Sequence, residues 1–311
     1  MDASSMPAPC GPDTFTNRTV IVSGGTGKLG RVICRALAEG GANVVVNDIN
    51  AEATANLVEE LVSDGRSAYG ITLSAVNGSE IISQTVSKFG RVDAVVNPIL
   101  GAIPWKHFEN LTDDDFRASF EANVLAPISI AKAAWPHFKA QNYGRIVNFT
   151  SDGMLGFPTA STYTFSKGAL FGVNKTLAME GAPFNIKVNC VSPIAYAPTM
   201  ERHIQRFSED VQELFKTRYK PEGNVPMILA LASEGCKISG EVFNTSGWAV
   251  GKSVWGVLEG DNQMRTVEEC LLKMDQVTTK NTKEVYEPGS MVDFTEFQSN
   301  WILGKDSKSK S

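Results

Sequence analysis

The chain has 311 residues, 42% of them hydrophobic and 20% charged, a balance that suits one large globular domain. The formal net charge is -5 at pH 7, and the basic residues are scattered singly, so the stripe needed to bind a nucleic-acid backbone is missing and no such partner is expected. No stretch reaches the roughly 18 apolar residues of a membrane span, Met1–Asn17 has no secretory pattern, and the five cysteines and three histidines show neither paired nor ligand spacing, so disulfides and metals are not expected either.

From Thr19 onward, apolar runs alternate with segments of helical period, which predicts β-α-β units around a parallel sheet. The first strand is Thr19–Val22, followed by a helix over Leu29–Glu39 that Gly40-Gly41 ends, and then a strand over Asn43–Asp48. A helix over Ala51–Ser63 leads to a strand near Ala68–Leu73, and a helix over Glu80–Phe89 stops at Gly90. Further strands are read at Val92–Asn97, Gly144–Phe149, Ile186–Val191 and Gly240–Asn244, with long helices over Asp114–Ala140 and Tyr163–Glu180 between them. The fold class is therefore α/β, a Rossmann-type doubly wound parallel sheet of about seven strands with helices on both faces. One domain over 15–279 is expected, between a flexible tail at 1–14 and a polar extension at 280–311 that Phe294, Phe297 and Trp301 could anchor.

Between the first strand and helix lies Ser23-Gly24-Gly25-Thr26-Gly27-Lys28-Leu29-Gly30. Glycine there permits positive φ and lets backbone N–H groups approach a pyrophosphate at the positive end of the helix. Asp48 ends the second strand 18 residues after Gly30, where a carboxylate can accept from ribose hydroxyls and repel a 2′-phosphate. NAD is thereby preferred, with NADP not excluded because Lys28 in the turn could compensate. The plainer alternative is a tight α/β turn with a solvated lysine and an exposed strand-end acid.

Tyr163 and Lys167 lie four residues apart, on one face of a helix, and Ser151 follows the fifth strand at the edge where ligands gather. A free tyrosine exchanges protons poorly near neutrality, since its pKa is about 10, and an adjacent ammonium would stabilise the phenolate. Asn123, in the interior of the helix before that strand, is either a tolerated polar residue or one with a task.

These four residues, in this order and behind this glycine turn, resemble the tetrad of the single-domain short-chain dehydrogenases/reductases. The resemblance implies that Tyr163 is the acid/base, Ser151 holds the substrate oxygen, Lys167 binds the nicotinamide ribose and lowers the tyrosine's pKa, and Asn123 fixes a relay water. Across roughly Asn17–Thr279, segments such as Val44–Asp48, Phe89–Asp93 and Tyr143–Ile146 are similar to the branch that includes the (3R)-hydroxyacyl-CoA dehydrogenase region of peroxisomal multifunctional enzyme type 2. That implies an NAD(P)-dependent interconversion of a secondary alcohol and a ketone on a hydrophobic or acyl-type substrate, by a homodimer or homotetramer.

The chain departs from the family pattern in three places. Lys28 stands where the middle glycine of the turn is usual. The fourth strand runs into Asn97-Pro98-Ile99-Leu100-Gly101 instead of Asn-Asn-Ala-Gly, although Asn97 remains a cofactor candidate. Ser151 lies one residue nearer Tyr163 than usual, and Ser192-Pro193-Ile194 replaces a Pro-Gly, leaving Thr199 as the candidate nicotinamide contact. The second departure keeps open another reading, a cofactor-binding protein with a non-redox biosynthetic or regulatory role. Large side chains at Trp105, Phe108, Met154, Leu155, Phe157, Tyr196 and Met200 are expected near the substrate. A cytoplasmic location is expected, because no Ser-Lys-Leu peroxisomal address ends the chain.

Overall fold

The computed structural model describes residues 8–101, 103–197, 200–205, 207–257, 265–278 and 285–302. The chain folds as two compact units, Met1–Lys252 and Ser253–Ser311. The expected boundary at 279/280 lies outside the described residues.

The first unit is built on a sheet in the order β3-β2-β1-β4-β5-β6-β7-β8. Its strands are β1 (Thr19–Ser23), β2 (Asn43–Asp48), β3 (Ala68–Thr72), β4 (Ala94–Asn97), β5 (Gly144–Phe149), β6 (Ile186–Ile194), β7 (Val242–Ser246) and β8 (Ala249–Ser253). All neighbouring pairs from β3 to β7 are parallel. From β1 the chain proceeds outward to β2 and β3, and from β4 outward in the opposite direction to β5, so the order reverses between β1 and β4, the position at which a crevice opens at the strands' C-terminal ends.

Val20, Val22, Val44, Val46, Val96 and Val147 face one side, packed with Ile33 and Leu37 of α1 (Lys28–Glu39) and Leu57 of α2 (Ala51–Ser63). Ile21, Val45, Val95 and Ile146 face the other side, against Ile81 of α3 (Gly78–Phe89), Ile130 and Phe138 of α5 (Ala126–Gln141) and Ala178 of α6 (Ser161–Gly181). Both faces of the strands are thus buried, as their unbroken apolar runs require. Local signals set the helix ends. The Asn50 side chain accepts from Ala53 N at 3.0 Å to start α2, and Gly90, at φ 76°, ends α3.

Two elements differ from the sequence expectation. The helix read over Asp114–Ala140 is α4 (Asp113–Phe120), a π-helical turn over Glu121–Leu125, and then α5. Pro127 has no N–H to return to the carbonyl of Asn123, so the α ladder widens there. An eighth strand, β8, follows β7 through Gly247 and Trp248, both at positive φ, the two-residue turn of an antiparallel hairpin. Between β6 and β7 lie α7 (Glu201–Ile204), α8 (Glu209–Arg218) and α9 (Val225–Ala232).

In the second unit, Val257 and Tyr286 form an antiparallel bridge beside α10 (Val267–Thr278) and α11 (Met291–Ile302). Of the aromatic residues expected to anchor it, Phe297 is buried and stacks on Tyr286 at 4.3 Å, and Phe294 meets Trp255 edge-on. The Trp301 side chain lies outside the described residues. No helix among the described residues is long and apolar enough to cross a membrane, and no group of metal-ligating side chains is present among them.

Candidate active site

The glycine turn sits at the head of β1. Gly24 has φ 81°, and a Cβ there would lie 3.2 Å from the Pro98 carbonyl. Gly30 is packed more tightly still, because a Cβ would come within 2.1 Å of the Gly24 carbonyl oxygen. Any side chain at Gly30 would therefore push α1 off the turn. Gly27 precedes α1 with no side-chain cap and no acid in the first turn, so the helix start is left to offer its N–H groups and positive dipole end to an anion. Lys28 is exposed, and Leu29 packs against the core beneath.

Asp48 reaches back from the end of β2. Its carboxylate accepts from Thr26 N at 3.1 Å and from Asn50 N at 3.2 Å, which fixes it beside the turn. These bonds leave further acceptor capacity on both oxygens. A bare helix start, a glycine whose absent Cβ faces the next strand, and a fixed carboxylate fit a dinucleotide: Gly24, Gly27 and the first turn of α1 would face the pyrophosphate and Asp48 a ribose.

Asn97 ends β4 fully buried, and its amide donates to Asn148 Oδ1 of β5 at 2.9 Å. Asn123 lies in the π turn, where its amide donates to the Gly101 and Ser119 carbonyls while its Oδ1 accepts from Gly101 N at 3.0 Å. The asparagine thus ties the turn after β4 to the helix covering it. Its task in this structure is that tie, made with both backbone groups of one residue.

Tyr163 and Lys167 lie on α6 as the spacing requires, with the Lys167 nitrogen 5.8 Å from the Tyr163 ring centre. Ser151 starts a short 3-10 turn (Asp152–Leu155), where its hydroxyl accepts from Gly153 N at 3.1 Å and lies close enough to Tyr163 to act on its phenol. Thr150 occupies the more usual spacing from Tyr163, but its hydroxyl donates to the Lys167 carbonyl at 2.8 Å and is spent within the fold. Ser151 is therefore the hydroxyl brought to the tyrosine.

Burial raises the Tyr163 pKa above the ordinary 10, the nearby Ser151 hydroxyl offsets part of that, and the Asp152 charge adds to it. Burial likewise pushes Lys167 down to about 8, while its ammonium donates to the Phe149 carbonyl at 2.8 Å. The arrangement favours the protonated phenol, a proton donor, over the phenolate.

Two neighbours of the tyrosine escaped the sequence reading. A Cβ on Gly153 would lie 2.7 Å from Tyr163 Cε1 and 3.4 Å from Ser151 Oγ, so only glycine fits against the ring there. Asp152 accepts from Ser192 and Asn244. Glycine and aspartate after a strand are ordinary turn residues, so nothing in their order marks them. Of the residues expected near the substrate, Trp105 lies 6.3 Å from Tyr163 and 6.0 Å from Phe157, centre to centre. Phe108 instead packs edge-on against Phe116 of α4, and Tyr196 donates to Glu201 at 2.8 Å. Thr199 lies outside the described residues.

A sequence model of the short chain dehydrogenase family matches residues 18–209. The chain is 35% identical, over 246 residues, to "Peroxisomal hydratase-dehydrogenase-epimerase" of Neurospora crassa, a match that covers 78% of this chain and 26% of that protein. It thus spans about a quarter of that relative's length. Among solved structures, full-length peroxisomal multifunctional enzyme type 2 from Drosophila melanogaster has a TM-score of 0.75 at 22% identity, covering 93% of this chain and 50% of that one. NAD+-bound xylitol dehydrogenase has a TM-score of 0.67 at 24% identity, over 75% of this chain and 99% of that one. These structural likenesses establish the fold.

Proposed function

The chain belongs to the short-chain dehydrogenase family, an oxidoreductase family, and we propose that it interconverts a secondary alcohol and a ketone on a hydrophobic or acyl-type substrate. The observation that carries the proposal is the meeting of Ser151, Tyr163 and Lys167 at the C-terminal edge of the sheet, beside the glycine turn and Asp48. A nicotinamide dinucleotide, when bound, supplies or accepts the hydride. Gly24, Gly27, Gly30 and Asp48 are the residues that would hold it, and the NAD+ in the xylitol dehydrogenase of like fold supports that choice. The carboxylate of Asp48, already fixed by Thr26 and Asn50, favours NAD over NADP by repelling a 2′-phosphate.

Ser151 orients the substrate oxygen, and Tyr163 donates a proton to it in carbonyl reduction or takes one from it in alcohol oxidation. Lys167, charged below a pH of about 8, steadies the phenolate left after donation. Trp105 and Phe157 give the mouth of the site apolar walls suited to an acyl or lipid-like substrate. Exposed Phe120, Leu125 and Phe165 on the helices flanking the site support a homodimer or larger homo-oligomer through that face. All five cysteines are free thiols, which suits a reducing compartment and the cytoplasmic reading. The peroxisomal names of two relatives make fractionation of cytosol from peroxisomes its test.

The test of function is calorimetric titration with NAD, NADH, NADP and NADPH, in wild type and Asp48→Ala, followed by a panel of secondary alcohols and ketones. Saturable binding that prefers the non-phosphorylated pair, loss of that preference in the variant, and turnover abolished by Tyr163→Phe are the expected results. Absence of binding to all four overturns the proposal. One observation favours the second reading, a non-redox cofactor-binding protein: the Pro98-Ile99 backbone, which replaces the family's small residues, runs beside the glycine turn, where a Cβ on Gly24 would lie 3.2 Å from the Pro98 carbonyl oxygen and 3.3 Å from the Ile99 Cα. Tight NADH binding without turnover anywhere on the panel would select it.

A further inference from the structure

Asp152 stands between two residues that lie beside Tyr163, namely Ser151, whose hydroxyl acts on its phenol, and Gly153, which lies against its ring. The same carboxylate oxygen, Oδ1, accepts from Ser192 Oγ at 2.7 Å and from Asn244 Nδ2 at 2.5 Å. Ser192 and Asn244 are register partners across β6 and β7, so two neighbouring strands aim donors at one point from one level of the sheet. Ser192 is fully buried and belongs to the Ser192-Pro193-Ile194 segment that departs from the family pattern. The 3-10 turn itself supplies few restraints of its own, being four residues long.

Resting on the function proposed above, we propose that Asp152 is a positioning residue: it fastens the Ser151–Gly153 turn to β6 and β7, and so fixes the hydroxyl and the glycine face that hold Tyr163. Its carboxylate is a negative charge near the phenol, and Lys167 is the positive one, on α6 itself. The remaining neighbours named against Tyr163, Trp105 and Gly153, are uncharged. Loss of the Asp152 charge therefore makes the phenolate easier to form, while loss of its acceptor oxygen frees the turn.

Asp152→Asn and Asp152→Ala separate these effects, because the asparagine keeps an acceptor for Ser192 and Asn244 and alanine does not. The readout independent of turnover is the ultraviolet titration of the Tyr163 phenolate, isolated by subtracting the same titration of each protein carrying Tyr163→Phe. In Asp152→Asn the transition is expected to move down by roughly half a unit to one unit, with kcat within about threefold of wild type. In Asp152→Ala, kcat is expected to fall at least about tenfold with the NADH dissociation constant unchanged, and asparagine rescues it. A phenolate transition that stays in place in Asp152→Asn, or an alanine variant with wild-type kcat, overturns the inference. Should Asp152→Ala fail to fold, the asparagine titration decides alone. A shifted transition in a protein that binds NADH yet turns over no alcohol or ketone upholds the placement of Asp152 and overturns the dehydrogenase reading instead.

Discussion

Replacing Lys167 by methionine should abolish turnover and stabilise the protein at pH 7. Lys167 is almost wholly buried, 3% exposed, so solvent does not screen its charge, and its pKa falls from an ordinary 10.5 to about 8. A displacement of this size amounts to about 3 kcal/mol of unfavourable charge burial in the folded state. Methionine is similar in volume and carries no charge, but it orphans the Phe149 carbonyl that the ammonium engages at 2.8 Å, a loss of about 1 kcal/mol. The net gain is about 2 kcal/mol, or roughly 5 °C in Tm for a chain of this size. The sign must also change with pH. Between 8 and 10.5 the folded wild type binds fewer protons at this site than the unfolded chain, so wild-type stability rises through that window while the variant's does not. Above it the lysine is neutral in both states and the variant is left about 1 kcal/mol less stable, for want of the hydrogen bond. Urea unfolding of both proteins in a Tyr163→Phe background, at pH 7 and near pH 11, measures the difference without the phenolate. A methionine variant less stable than its parent at pH 7, or a difference that ignores pH, would refute the reasoning.

Gly153→Ala should leave the fold and NADH affinity in place while lowering kcat by about a hundredfold, because its Cβ would sit 2.7 Å from Tyr163 Cε1 and displace the ring by a large part of an ångström; equal kcat in steady-state assays would show the ring can yield. Gly30→Ala should eliminate NADH binding by calorimetry, since its Cβ would meet the Gly24 carbonyl at 2.1 Å, and retained affinity would place the dinucleotide elsewhere. Asn123→Ala orphans the Gly101 N–H and the Gly101 carbonyl, which should lower stability by about 2–4 kcal/mol in urea titration; a midpoint unchanged from wild type would show that the tie after β4 is dispensable. Carbonyl reduction requires Tyr163 protonated and Lys167 charged. With burial raising the tyrosine above 10 and holding the lysine at about 8, kcat for reduction should fall as pH rises through about 8; a profile level up to pH 10 would remove Lys167 from the mechanism.

The parts of the fold legible in the sequence are those where a local signal and the tertiary environment agree. Asn43–Asp48, Ala51–Ser63 and Gly144–Phe149 are bounded in the structure as their apolar runs and caps indicate, because a buried parallel strand needs an unbroken run and Asn50 can start a helix wherever one follows. The π turn is marked in the sequence only by Pro127, four residues after Asn123, and because proline is ordinary in the first turn of a helix the apolar pattern runs through it unbroken. The strand β8 was hidden for a different reason. Its five residues are mostly exposed and show no alternation, and Gly247-Trp248 is not a turn pair that sequence singles out. Ser151, Tyr163 and Lys167 stand out in the sequence by their order and spacing, whereas the engagement of the neighbouring Thr150 hydroxyl by the Lys167 carbonyl is visible only once the chain is folded.

The two ends of the sheet treat buried polar groups in opposite ways, and the difference points to where function lies. Near the starts of β1 and β5, the buried Asp93 carboxylate takes Arg18, Arg91 and the Thr19 N–H. The Arg145 guanidinium is bonded to the carbonyls of Gly144, Asn185, Ser233 and Glu234. Every charge there is matched, as stability alone would dictate. At the other end Lys167 is buried against a single carbonyl, and of the five buried side-chain atoms without a hydrogen-bond partner among the described residues, Ser23 Oγ, Asn97 Oδ1 and Asn148 Nδ2 lie on its strands, Thr162 Oγ1 lies on α6 beside Tyr163, and Asn174 Oδ1 lies further along α6. An unpartnered buried polar atom is unfavourable by about 1–3 kcal/mol, and four of these five lie on the strands and the first turn of the helix that carry the glycine turn and the tyrosine. The contrast is one of solvation: the charges at the strand starts are met within the fold, whereas the polar atoms of Ser23, Asn97 and Asn148 lie toward the strand ends that carry the glycine turn and the tyrosine.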